Sequence, residues 1–341
     1  MTSCLWPERQ PDTGQWLLRR AGRFSALALV AVLLLDLLAL RPAGPASHSP
    51  LPLPLLAGLL IGLPHGAVDH LVPAWLSVPS RGWRPRAGLL AGYVGAAGFG
   101  WWICHTASGP MLIAFLALTI GHFGAGDESF HRQRDGRGTP VRPYAVLAYG
   151  APPVLLPLAL WRDQVDPLLE SIDSGAADLL TTELCGAAVA LAGAAMVVTA
   201  MDDLRAGRRG DAAYLGLLVA VFALVPPALA FATYFAAGHS VRHVARLLCA
   251  DPANAVALSA GRLGPPLLRF AAQAAIPVGV VLVVLVPITV STTPDAAVST
   301  GFAVLAGLTA PHAMLVFWLD RRAAADSPGE VRSGSPGCSP G

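Results

Sequence analysis

The amino-acid sequence predicts an all-α protein: a polytopic transmembrane helical bundle of about eight to ten helices. Three observations carry this expectation. Hydrophobic residues fill 54% of the 341 positions and charged residues 13%, with a mean hydropathy of +0.58, which is far from ordinary soluble composition. Apolar runs of about 20 residues, enough to cross a hydrocarbon core, recur along most of the chain. Short arginine clusters follow alternate runs, the distribution that the positive-inside rule reads as cytoplasmic loops.

Taken in order, the runs predict helices over 22–40, 51–76, 87–106, 110–127, 143–161, 184–200, 211–228, 229–249, 271–290 and 301–319. The first, with SALALVAVLLLDLLAL ahead of PAGPASHS, also has the outline of a cleaved secretory signal. Either way the second helix starts from the outside. The seventh and eighth meet at Pro226-Pro227, where one long kinked helix is the alternative to two. The 35 glycines and 30 prolines would argue for disorder in a soluble chain, but in membrane helices they serve as kinks and close contacts.

The loops alternate in charge. Arg19, Arg20 and Arg23 precede the first helix; Arg81, Arg84 and Arg86 follow the second; Arg132, Arg134, Arg137 and Arg142 the fourth; Arg205, Arg208 and Arg209 the sixth; Arg262 the eighth; Arg321 and Arg322 the tenth. The loop between the fifth and sixth helices instead carries Asp163, Asp166, Glu170, Asp173, Asp178 and Glu183 with Arg162 alone. The expectation is a multi-pass protein of the cell (inner) membrane with both termini in the cytoplasm. Residues 1–20 are then a cytoplasmic N-terminal segment, 21–322 a single transmembrane helical domain, and 323–341 a disordered tail rich in Gly, Ser and Pro. A net charge of +2 with scattered arginines excludes a nucleic-acid partner and leaves the lipid bilayer. Five widely spaced cysteines with no C-x-x-C pair point to neither zinc nor a disulfide framework.

Nine histidines interrupt this apolar background. Most fall in PHGAVDH (64–70), GHFGAGDESFH (121–131), YFAAGHSVRH (234–243) and PH (311–312). These lie on the second, fourth, eighth and tenth helices, all running from outside to inside, and each in the C-terminal half of its helix. Ionisable groups inside a membrane segment are costly unless they pair, line water or bind an ion. One shared site is the economical reading.

His239 and His243, four residues apart, are separated by about 40° of helix rotation and present both rings on one face, a chelating arrangement. His65 and His122, arriving from other helices at similar depth, would make a four-imidazole site. His70 is five residues from His65, about 140° away, and points elsewhere. Asp69 shares the face of His65 and is placed to accept a ligand imidazole N–H and so fix its tautomer. Asp127, Glu128 and His131 lie near the expected membrane exit, where solvation accounts for them, and the isolated His48 and His105 read as structural or interfacial. An imidazole donor set without thiolate suits Zn, Cu, Fe or Ni.

Together PHGAVDH, GHFGAGD, YFAAGHSVRH and the late PH helix resemble, in order and from about Leu63 to Leu319, the Brp/Blh family of bacterial and archaeal β-carotene 15,15′-dioxygenases. The resemblance implies an all-helical membrane enzyme that uses O2 to split β-carotene into two molecules of retinal at a non-haem Fe(II). Carried over motif by motif, its ligands and catalytic residues are His65, His122, His239 and His243. Asp69, His70, Tyr234 and His312 then stand behind the ligands or shape the pocket, and Phe123, Phe235, Phe317 and Trp318 are further candidates to line a substrate tunnel. A functional link to a retinal-binding rhodopsin is also implied. A histidine-box desaturase is disfavoured because no H-H pair occurs. A transporter with an intramembrane His/Asp pathway is the alternative of another class, and a carotenoid-binding relative without activity is a further one.

Overall fold

Helix is the regular structure throughout the described residues, as lipid demands of backbone that must satisfy its own hydrogen bonds. The computed structural model describes residues 14–38, 53–75, 83–106, 108–291 and 293–325. Most of the expected N-terminal segment and tail, His48 and the side chain of His105 lie outside the described residues.

The chain runs through α1 (Gln15–Leu38), α2 (Leu53–Gly62), two 3-10 turns (Leu63–Gly66 and Asp69–Leu71) and α3 (Val72–Trp75), followed by α4 (Trp83–Thr106) and α5 (Ser108–Arg134). Next come α6 (Pro143–Gly150), α7 (Pro152–Leu160), the short α8 (Arg162–Ile172) and α9 (Ala176–Leu179), then α10 (Thr182–Arg205) and α11 (Arg209–Leu224). The final tract comprises α12 (Pro227–Thr233), a π-helix (Tyr234–Ser240), α13 (Val241–Ala250), α14 (Ala255–Ser259), α15 (Gly264–Ser291) and α16 (Pro294–Ala325). Each of the ten expected tracts falls on one of these helices or on a run of them. Among the described residues, six helices are long and apolar enough to cross a membrane, and a seventh if α6 and α7, bent by 48°, count as one span.

Proline sets the breaks. The second expected helix is interrupted at Leu63-Pro64, where the chain tightens into 3-10 turns. Val225 and Pro226 are extended, with ψ of 139° and 136°, as expected before a proline. The seventh and eighth tracts are therefore two helices rather than one kinked helix.

Small residues set the closest crossings, as is usual where lipid gives no hydrophobic drive to helix association. A Cβ on Gly124 would overlap the Val146 carbonyl, and one on Gly150 the Ile120 carbonyl, so α5 and α6 meet backbone to backbone. Gly100 and Gly307 do the same between α4 and α16. On α15, Leu268, Ile276 and Val283 face outward, toward the expected lipid.

The arginine-bearing segments of α1, α5 and α11 gather at one end. Trp16 of α1 donates to the Leu258 carbonyl of α14 at 3.0 Å. Arg134 and Arg137 reach Asp211, while Arg142 bridges Glu128 and Asp203. Here the expectation that Asp127, Glu128 and His131 are solvated fails: all three are at most 1% exposed. The reason is that α5 continues to Arg134, and partners from neighbouring segments replace water: Arg242 for Asp127, Arg142 for Glu128 and Asp211 for His131.

Candidate metal centre

The break at Pro64 aims His65 inward. Its Nδ1 lies 2.6 Å from the Gly62 carbonyl, which can only accept, so Nδ1 carries the proton and Nε2 is left with a free lone pair. His122 projects from the middle of α5. His239 lies in the π-helix, a local widening frequently found at functional sites, and His243 in the first turn of α13. The two rings are parallel within 4°, with centroids 6.3 Å apart, so the one-face expectation is met on a helix that is partly π.

All four converge. The Nε2 atoms of His122 and His239 are 3.2 Å apart, and the His65 ring is 5.2 Å from that of His239 and 5.7 Å from that of His243. His312 of α16 joins them, 4.9 Å from His65, 4.9 Å from His122 and 5.3 Å from His243 between centroids. One ligand atom from each of His65, His122 and His312 lies within 4.8 Å of the others, and Asp69, His243 and His312 form a second such group. Asp69 accepts not from His65, one turn away, but from His312 Nδ1 at 2.7 Å. His70 is exposed at the edge of the adjoining cavity. Tyr234 turns away from that cavity and donates to Asp127 at 3.3 Å.

The donor set fits a metal ion. The buried Nε2 atoms of His243 and His312 have no hydrogen-bond partner among the described residues, an expensive arrangement for two buried ring nitrogens unless an ion satisfies them. An all-imidazole set suits Fe, Zn, Cu or Ni. Two ligands about 2.1 Å from one ion, at roughly right-angled to tetrahedral spacing, lie about 3.0–3.4 Å apart. The His122–His239 separation falls in that range.

Beneath the histidines, charged residues lock the helices that carry them. Arg242, between His239 and His243, donates to Asp127 of α5 at 2.9 Å and stacks over Tyr214 at 3.7 Å. Arg246 pairs with Asp320 of α16, which also accepts from Ser129 of α5 at 2.9 Å. Three histidine-bearing helices are thereby cross-linked. The sequence reasoning missed this role, although arginines in an otherwise apolar helix were a visible signal.

His65, His122 and His312 form part of the wall of a cavity of about 770 Å³. Leu59, Leu116, Phe231, Phe235 and Val278 supply apolar wall, and Asp163, Gln164 and Ser171 of α8 line another part. Of the proposed tunnel aromatics, Phe123 and Phe235 line it. Phe317 is exposed instead, and Trp318 packs in a separate apolar cluster with Val72 and Phe270.

The sequence model described as beta-carotene 15,15′-dioxygenase matches residues 56–320. A relative from Halobacterium salinarum, named "Probable beta-carotene 15,15′-dioxygenase Blh", is 32% identical over 292 residues, covering 79% of this chain and 84% of that protein. A second from the same organism, "Probable beta-carotene 15,15′-dioxygenase Brp", is 28% identical over 263 residues, covering 69% and 71%. No solved structure matches the chain.

Proposed function

The chain belongs to the β-carotene 15,15′-dioxygenase family, and on that premise we propose that it cleaves the central double bond of β-carotene with O2 to give two molecules of retinal. The reaction balances as one C=C bond and one O2 consumed for two aldehyde C=O bonds formed. The metal in this reading is iron(II), held by His65, His122, His239 and His243. When bound, it supplies the affinity for dioxygen and its activation. The observation that carries the proposal is the placement of His65 and His122 on the wall of a large, mainly apolar cavity. A transporter would string such groups along a path, whereas here they converge.

The protein's own residues bind, orient and exclude water. Phe231 and Phe235 stack within 9° of parallel at 5.7 Å and offer flat faces to a flat polyene. Phe235 reaches edge-on to within 5.3 Å of the His65 ring, which brings apolar wall up to the metal. Gly62 leaves the space that the Phe235 ring occupies, because a Cβ there would overlap it. The Gly62 carbonyl meanwhile holds the His65 proton on Nδ1. An apolar substrate that partitions into the bilayer would reach the cavity between helices, and the product would be available to a retinal-binding rhodopsin in the same cell membrane.

Expression in cells that accumulate β-carotene tests this reading. The expected result is loss of orange colour with retinal in the extract. Unchanged pigment, despite membrane expression and iron supply, would refute it for this substrate.

A further inference from the structure

Four histidines account for the iron in the reading above, yet a fifth imidazole occupies the same cluster and has its own support. His312 is 5% exposed. Its Nδ1 lies 2.7 Å from Asp69 Oδ2, and because the carboxylate accepts, the proton is on Nδ1 and Nε2 keeps a free lone pair. That Nε2 is buried without a hydrogen-bond partner among the described residues. Asp69 is itself fixed by the Tyr93 hydroxyl, which donates to the same Oδ2 at 3.2 Å.

The five rings adjoin one another. His122, His312, His243 and His239 form a closed circuit with successive centroid separations of 4.9, 5.3, 6.3 and 4.9 Å. His65 caps it, 4.9 Å from His312, 5.2 Å from His239 and 5.7 Å from His243. His312 is also common to both groups of closely spaced ligand atoms. Gly66 shows how closely the carboxylate–imidazole pair is fitted: a Cβ there would stand 3.3 Å from His312 Nδ1 and 3.7 Å from Asp69 Oδ2.

We infer that His312 is a fifth ligand of the metal, held in orientation and tautomer by Asp69, so that His65, His122, His239, His243 and His312 together would hold the ion. The inference rests on the iron reading and extends it. The carboxylate–histidine–metal relay raises ligand basicity and removes rotational freedom from the ring. Five imidazoles on a six-coordinate ion leave one position for an exogenous ligand, whereas four leave two. Asp69 is a positioning residue here, acting through His312.

The test is a count of metal-bound imidazoles. X-ray absorption at the iron edge of the purified wild-type protein should fit five imidazoles, and a fit of four would overturn the inference. His312→Ala should lose one imidazole from the fit and bind iron at least tenfold more weakly in chelator competition, with added imidazole restoring both. Asp69→Asn, which keeps the shape, should weaken iron binding roughly ten- to a hundredfold. Iron affinity within twofold of wild type in both variants would refute the role of His312. The wild-type count stands even if a variant fails to fold. A failure of the four-histidine reading is distinct from this: it would show itself as full iron binding by His65→Ala or His239→Ala.

Discussion

The Nε2 atoms of His122 and His239 face each other at 3.2 Å across the interface between α5 and the π-helix. Two imidazole lone pairs at that distance repel unless a proton or a cation lies with them. A metal ion should therefore stabilise the fold as well as supply chemistry, because it binds the native arrangement and not the unfolded chain. Chelator-stripped protein should melt at a lower temperature than iron-loaded protein. Iron(II) at about a hundredfold above its Kd should restore about 2.7 kcal/mol. Identical melting of the two forms would count against a metal at this position.

Substitution separates the ligands from their neighbours. His65→Ala, His122→Ala, His239→Ala and His243→Ala should each bind far less iron and form retinal at least about a hundredfold more slowly, by the scale of damage that even indirect metal-site changes cause. His70→Ala, at the cavity edge, should keep its iron. Metal analysis alongside retinal assay distinguishes these outcomes, and a fully active His243→Ala would break the four-histidine assignment.

The buried Arg242–Asp127 pair makes a prediction about stability. Arg242→Ala leaves Asp127 charged and without its arginine in a site where it is 1% exposed, and should cost about 3–5 kcal/mol in detergent unfolding experiments. Replacing both partners, as Arg242→Met with Asp127→Leu, should recover most of that loss, because apolar packing often matches a buried ion pair. Failure of the double variant to recover would show that Tyr214 and Tyr234, which also donate to Asp127, depend on the carboxylate.

Helix crossings make a second structural prediction. Gly124→Leu should prevent α5 from seating on α6 and abolish accumulation of folded protein. Gly193→Leu on α10, where a Cβ meets nothing within 4 Å, should accumulate like the wild type. Membrane-fraction yield measures both.

Cavity volume makes a prediction about substrate. Leu116→Trp narrows the wall without touching a histidine. It should lower kcat/KM for β-carotene at least about tenfold while iron content stays at the wild-type level. An unchanged kcat/KM would place the polyene elsewhere.

Much of the fold was legible in the amino-acid sequence. Apolar runs located helix in all ten tracts, because lipid imposes a length and a composition on each span, but among the described residues only six or seven helices are long and apolar enough to cross. Four motifs at matched depth pointed to one shared cluster, and the fold does gather His65, His122, His239 and His243. The misses have physical causes. Asp127, Glu128 and His131 read as solvated because a charge near a helix end ordinarily is, and only the fold brings Arg242, Arg142 and Asp211 to them. Asp69 pairs with His312 across 243 residues, a partnership hidden from helix periodicity because the turn at Ala67-Val68 between two 3-10 turns breaks the register between His65 and Asp69. The π-helix at Tyr234–Ser240 was equally hidden, since a four-residue spacing reads the same on either kind of turn.

Product stoichiometry decides whether this chain cleaves β-carotene centrally with iron and O2. Purified, iron-loaded protein should convert each β-carotene consumed into two molecules of retinal in the presence of O2, and should fall to background after iron is removed. Consumption of β-carotene without retinal, or retinal formation indifferent to iron, would contradict the account.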